Sequence, residues 1–208
     1  MNPTGSFDRF KDDILTKYND YEYGDIVTFG ILVADPRQSE AKEYIYNYLD
    51  VFHKKSGRNF DFFIPGYTEY SCSDSIQAII LNRKKYYFDE KMFFDFLDKI
   101  EEKFKIEYTY NPMLILMSME LGNVASSEYI VLELDDTDKH NIRRSGVLFR
   151  EIFQLAHTTK SLQDIHSGFI KTYLKGNLLN NILEILQQDS LLEIIKIGEN
   201  FKKYRIRG

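Results

Sequence analysis

The tightest constraint on this chain is the order in which two periodicities alternate between residues 25 and 136. Residues 25–34 hold a near-continuous apolar run, Ile26-Val27-Thr28-Phe29-Gly30-Ile31-Leu32-Val33, rich in β-branched side chains. That is the pattern of a strand buried on both faces. Asp35-Pro36 ends it, and Ser39 can cap a helix over residues 39–55, in which Ala41, Ile45, Tyr48, Leu49 and Phe52 share one stripe. Ser56-Gly57 closes the helix, and residues 60–64 read as a second strand stopped by Pro65-Gly66. A strand, a helix and a strand joined by short loops predict a right-handed parallel crossover. Asp89 then opens a helix with Met92, Phe93, Phe96, Leu97 and Ile100 on one side. Strands follow at 113–119 and 129–134; their link, 120–128, contains Gly122-Asn123 and predicts an antiparallel pair.

Outside this block the signals are weaker. Residues 1–9 read as a frayed start, although Phe7, Phe10, Ile14, Leu15 and Tyr18 recur at helical spacing. Residues 66–86 read as a functional loop or insertion, with Ile76 to Leu81 open between a strand and a helical turn. Asn82-Arg83-Lys84-Lys85 reads as a solvated basic loop, and Tyr86-Tyr87-Phe88 as an aromatic patch beside it. From Ser145 the period is helical: Leu148, Ile152, Phe153 and Ala156, then Leu178, Ile182, Leu183, Ile185 and Leu186, then Leu191, Ile194, Ile195 and Phe201. The chain is therefore divided into an α/β domain, residues 1–144, and a helical extension, residues 145–208. About sixty residues of short helices bury too little surface to be robust alone, so the extension is expected to dock on the first domain.

Composition bounds the function classes. Hydrophobic residues make up 43 % of the 208, enough for a core. The net charge of −5 and the absence of a basic domain speak against a duplex nucleic acid partner. The single cysteine, Cys72, excludes an intramolecular disulfide and fits a reducing compartment. With no apolar run in the first 25 residues and no window near ~18 apolar residues, no signal peptide and no membrane span are expected. The location expected is cytoplasmic.

The strand and helix order over residues 25–157, with Asn111-Pro112 just before Met113-Leu114-Ile115, resembles a thioredoxin-like domain. The resemblance implies a βαβ-αββα mixed sheet. In redox members of that fold a cis-proline faces a reactive cysteine pair. Here the counterpart loop is Ala34-Asp35-Pro36-Arg37-Gln38-Ser39, which holds no cysteine. A Cys-x-x-Cys pair is impossible in this chain. A second, shorter resemblance rests on His53, Ser56-Gly57 and Asp61-Phe62-Phe63-x-x-Gly66-Tyr67. It is similar to a pattern in uncharacterised bacterial proteins, some encoded near phage-defence genes, and implies a defence-linked context without an activity.

Three functions fit these observations. The first is a non-catalytic interaction or accessory protein, binding a protein partner or a second copy of itself, with no cofactor and no metal. It rests on a good core, abundant Tyr and Phe, and no phosphate loop or nucleophile elbow. The second is an enzyme or sensor for a nucleotide-like anionic ligand at the C-terminal ends of the parallel strands, where open α/β sheets bind ligands. That places Asp35, Arg37, Gly66, Tyr67 and Glu69 together: Arg37 and Tyr67 to hold the anion, Asp35 or Glu69 to act as base. The third is a metal-dependent nuclease using Glu133, Asp135 and Asp136. Alternation along the strand puts Glu133 and Asp135 on one face and Asp136 on the other. The four histidines, His53, His140, His157 and His166, lack metal-ligand spacing.

Overall fold

The computed structural model describes residues 1–18, 26–38, 41, 49–50, 52–54, 61–70, 78–120, 123–134, 192–196 and 201–206. They form a mixed α/β structure on two sheets. The larger has seven strands: β1 (Asn2–Thr4), β2 (Ile26–Val33), β3 (Asp61–Pro65), β7 (Met113–Glu120), β8 (Asn123–Leu134), β9 (Leu192–Lys196) and β10 (Phe201–Ile206). Their order is β1-β3-β2-β7-β8-β10-β9. The smaller is antiparallel, in the order β4 (Tyr67–Thr68), β6 (Lys84–Phe88), β5 (Ala78–Leu81). Two helices are described along their length, α1 (Phe7–Lys17) and α2 (Glu90–Phe104).

The βαβ and antiparallel expectations hold at the level of pairing. β2 and β3 are parallel, with Phe29 against Asp61 and Ile31 against Phe63. β7 runs antiparallel to both β2 and β8. Of the helix expected over 39–55, residue 41 and residues 49–50 and 52–54 are helical; the remainder lies outside the described residues. The link between β7 and β8 is two residues long rather than nine, because the polar stretch after Gly122 extends β8 instead of interrupting it. Every described peptide bond is trans, Asn111–Pro112 included.

The core lies on both faces of the large sheet. Registered partners share a face, so Phe29, Ile31, Val33, Phe63, Ile115, Met117, Val131 and Glu133 look one way. α1 and α2 cover that face. Ser6 caps α1, accepting a hydrogen bond from the Arg9 amide at 3.2 Å. The helix buries Phe7, Phe10, Ile14 and the following Tyr18 at 3–4 spacing, leaving Leu15 54 % exposed. Phe10 sits among Phe29, Phe63 and Phe96, with ring centroids 5.0–5.5 Å away and edge-to-face geometry. The opposite face meets the helical residues 52–54, where Phe52 packs on Phe62 at 5.0 Å. Between β2 and β7 the buried Thr28 and Ser118 hydroxyls satisfy each other at 2.7 Å.

Four expectations are corrected. Residues 1–9 are not a frayed start. β1 pairs in parallel with β3, and Asn2 and Lys17 both donate to Asp61, at 3.2 and 2.6 Å. Those bonds reward an edge strand whose own sequence is poor in strand formers. The 66–86 segment is ordered at both ends as β4, β5 and β6; residues 71–77 lie outside the described residues. Asn82-Arg83 is no loose basic loop. Both residues have positive φ, 49° and 65°, and join Leu81 to Lys84. This two-residue, doubly left-handed turn matches strand twist in a hairpin. Lys84 and Lys85 therefore lie in β6, and Phe88 is buried rather than exposed. Finally, within the stretch expected as a helix through Leu191, Ile194, Ile195 and Phe201, residues 192–196 and 201–206 are strands. They are β9 and β10, and β10 pairs in parallel with β8 from Phe201↔Tyr129 to Ile206↔Leu134. The open edge of β8 supplies backbone partners that a helical period cannot register. The end of the chain thus joins the main sheet as strands. The helices expected around 148–156 and 178–186 lie outside the described residues.

Candidate functional site

β1, β2, β3, β8 and β10 run in one direction and end at one edge of the sheet, where β7 begins. Asp35 and Arg37 follow β2 by two and four residues. Pro36 and the bond from the Gln38 amide to the Asp35 carbonyl, 3.1 Å, fold the chain back on itself. The Asp35 side chain accepts from the Arg37 amide at 3.0 Å. It also takes the Arg37 guanidinium in fork geometry: Nε lies 2.9 Å from Oδ1 and Nη2 lies 2.6 Å from Oδ2. Asp35 is 2 % exposed.

The other end of the guanidinium reaches Glu90 through Nη1, and its carbon lies 5.6 Å from the Phe94 ring centroid. Glu90 stands in the first turn of α2, whose N-cap Asp89 accepts from the Met92 amide at 2.9 Å. A carboxylate there also meets the positive end of the helix dipole. The hydrogen bond to Asp35, then that to Glu90, holds Arg37 charged against the opposing effect of burial. One arginine between two carboxylates leaves the trio with net negative charge.

The connection from α2 to β7, residues 105–112, passes over this edge. The Tyr108 ring packs 5.7 Å from Phe93 and 5.4 Å from Tyr110. Burial first, and the Asp35 charge second, push the Tyr108 phenol above its ordinary range. Tyr110 is 61 % exposed with φ 66°, an unusual conformation for an aromatic residue. Thr109 and Asn111 both donate to the buried Glu133 carboxylate, Asn111 at 3.0 Å. The register Val33↔Met113 and Met113↔Glu133 sets Glu133 on the rung of Val33, two strands away. At ~4.8 Å per strand that is about 10 Å.

Two groups of residues read separately in the sequence therefore meet at one edge. Asp35 and Arg37 are joined directly, and Glu133 stands at the same edge on the helix-covered face. Asp135 and Asp136 lie outside the described residues. Tyr67 is buried, with its ring 5.4 Å from Phe88. Glu69 pairs with Lys84 at 3.2 Å on the surface. Gly66 locks the junction to α2: its carbonyl accepts from the Asp89 amide at 2.8 Å. Its φ of +79° and a virtual Cβ only 2.7 Å from Phe93 Cβ admit glycine alone without rearrangement. Glu90, Phe94, Tyr108, Thr109, Tyr110 and Asn111 are parts of the edge that the sequence did not single out for it. A carboxylate in the first turn of a helix, next to its cap Asp89, was the signal available for Glu90.

Among the described residues no three His, Cys, Asp or Glu side chains group as metal ligands. Among them also, no helix is long and apolar enough to cross a membrane. No family model, no curated protein and no solved structure matches this chain.

Proposed function

We propose that this chain is a binding protein on a thioredoxin-like scaffold, working through a protein partner or a second copy of itself rather than through catalysis. The strand order β3-β2-β7-β8, with β7 antiparallel to the other three, supports the scaffold. It is the arrangement expected when a βαβ unit receives an antiparallel pair beside its first strand. The observation that carries the functional reading is the state of the charged groups at the strand ends. Asp35 and Glu90 are both engaged by Arg37, and Glu133 by Thr109 and Asn111. A general base needs an available lone pair aimed at substrate, and an anion clamp needs a cation whose donors are open. Here three of the five N–H donors of Arg37 are taken by Asp35 and Glu90, and an anion would meet the remaining two beside both carboxylates. The exposed Tyr110 beside this closed set is the kind of aromatic that anchors an interface.

Thermal-shift measurements with nucleotides, inorganic phosphate and divalent cations test this directly. No ligand is expected to raise Tm. A nucleotide that raises it in the native chain and not in Arg37→Ala would replace this reading with the anionic-ligand one. Mg²⁺- or Mn²⁺-dependent cleavage of DNA or RNA, abolished in Glu133→Gln, would replace it with the nuclease one. Light scattering and pull-downs supply the other arm: a strictly monomeric chain that retains no protein partner would count against binding as its role. The defence-linked context rests on the short pattern around His53 and Gly66, and the gene neighbourhood tests it.

A further inference from the structure

The β5–β6 ribbon carries a second surface, unlike the first. Register places Ala78 opposite Tyr87 and Ile80 opposite Lys85, so these four share one face. Ile79 and Leu81 turn the other way and are buried. On the outer face Ile80 is 69 % exposed, and beside β4 Tyr70 is 79 % exposed. The Lys85 ammonium lies 4.9 Å from the Tyr87 ring centroid. The left-handed turn fixes Arg83 at the tip, directly before Lys84 and Lys85. Asn82 Oδ1 lies 2.8 Å from His53 Nε2, which brings the exposed Lys54 beside that tip.

Four cations therefore surround one hairpin. Lys84 pairs with Glu69, whereas among the described residues no carboxylate pairs with Lys54, Arg83 or Lys85. In the helical layer Lys11, Lys17, Lys91 and Lys99 each have a carboxylate partner within 4.0 Å, while Arg9 and Lys103 have none among the described residues. We propose that the outer face of this ribbon docks single-stranded nucleic acid. Arg83, Lys85 and Lys54 meet phosphates, and unpaired bases stack on Tyr70 and lie over Ile80. Open cations interleaved with exposed aromatic and aliphatic side chains are the two components such binding needs. A duplex hides its base faces from stacking side chains, which a single strand leaves open. The single strand is therefore the form that fits. This surface lies on the small sheet and stands independently of the role assigned to the strand-end edge.

Fluorescence anisotropy of the full chain with labelled 12-nucleotide oligo(dT) and oligo(U), from 20 to 200 mM salt, tests it. Three phosphate contacts on a single strand predict a slope of log K against log salt of about −2, at roughly 0.7 per contact. Arg83→Gln with Lys85→Gln should bring the slope to about −0.7. Tyr70→Ala should weaken binding about tenfold with the slope unchanged. Lys91→Gln with Lys99→Gln, on α2, should change neither. Circular dichroism of each variant checks that the fold is kept. The proposal is overturned by no binding at 20 mM salt or by a ribbon double variant that binds like the native chain. It is equally overturned by a duplex of equal length bound as tightly, or by a glutamate-rich peptide that displaces the oligonucleotide at equal concentration. That last result would make the ribbon a site for an acidic protein segment.

Discussion

The strand-end edge and the β5–β6 ribbon both set cations beside tyrosines, and they use them in opposite ways. At the edge, Arg37 is forked onto a carboxylate that is 2 % exposed and tied to Glu90, with Tyr108 packed against Phe93. In the ribbon, Arg83 and Lys85 are exposed, and Ile80 and Tyr70 lie open to solvent. The same residue types hold the fold together where neighbours satisfy them and remain available for a partner where neighbours do not. An arginine forked onto a buried carboxylate leaves little of that carboxylate for a ligand. The desolvation of Asp35 also makes losing its partner costly.

By this contrast, stability resides under the helical layer and is nearly absent from the ribbon's outer face. The largest effect is expected at Phe10. Phe10→Ala empties a site lined by Phe7, Phe29, Phe63 and Phe96. It should cost about 3–5 kcal/mol by urea unfolding; a loss under ~1 kcal/mol would mean that α1 does not pack as described. Gly66→Ala comes next, at about 3 kcal/mol. It combines a left-handed residue bearing a Cβ, about 1–2 kcal/mol, with overpacking against Phe93, about 1–3 kcal/mol. Gly66→Asn, which tolerates positive φ better, would still meet Phe93. Equal losses for the two variants would assign the larger share to the clash.

A smaller effect should appear with alkali. The Tyr108 phenol is held protonated in the fold beyond its unfolded value of 10.0. Its raised pKa contributes stability that is complete below pH 10 and is lost as pH rises above it. Tyr108→Phe should flatten that part of the fall in urea midpoint. An unchanged profile would show that the hydroxyl is not buried beside Asp35. The smallest change is expected for Ile80→Ser, within about 0.5 kcal/mol of the native chain, although it removes an apolar group from a strand. A loss above ~1.5 kcal/mol would show that the ribbon's outer face is covered.

The short-range features of the fold were legible in the sequence. The apolar run of β2 forms a strand covered on both faces. The stripe Phe93, Phe96, Leu97 and Ile100 is the buried side of α2. Asp89 caps that helix, and the parallel pairing of β2 with β3 and the antiparallel pairing of β7 with β8 follow from short connections. Each is set by period and local turn chemistry, and both survive in one dimension. Asp35 and Arg37 were legible as members of one site for the same reason: both follow the end of a parallel strand, whereas their fork to each other was not.

What only the tertiary structure decided were features that depend on partners distant in sequence. β1 and β10 are strands because β3 and β8 offer open backbone edges, while their own residues read as a frayed end and a helix. Glu133 is a buried acceptor because the 105–112 connection lays Thr109 and Asn111 over it. Arg37 meets a second carboxylate because Glu90 reaches it from α2, 53 residues later. A periodicity fixes which face of an element is apolar. It cannot fix which edge will be paired or which charge will be met, since hydrogen bonds and ion pairs are settled by whatever group arrives across space.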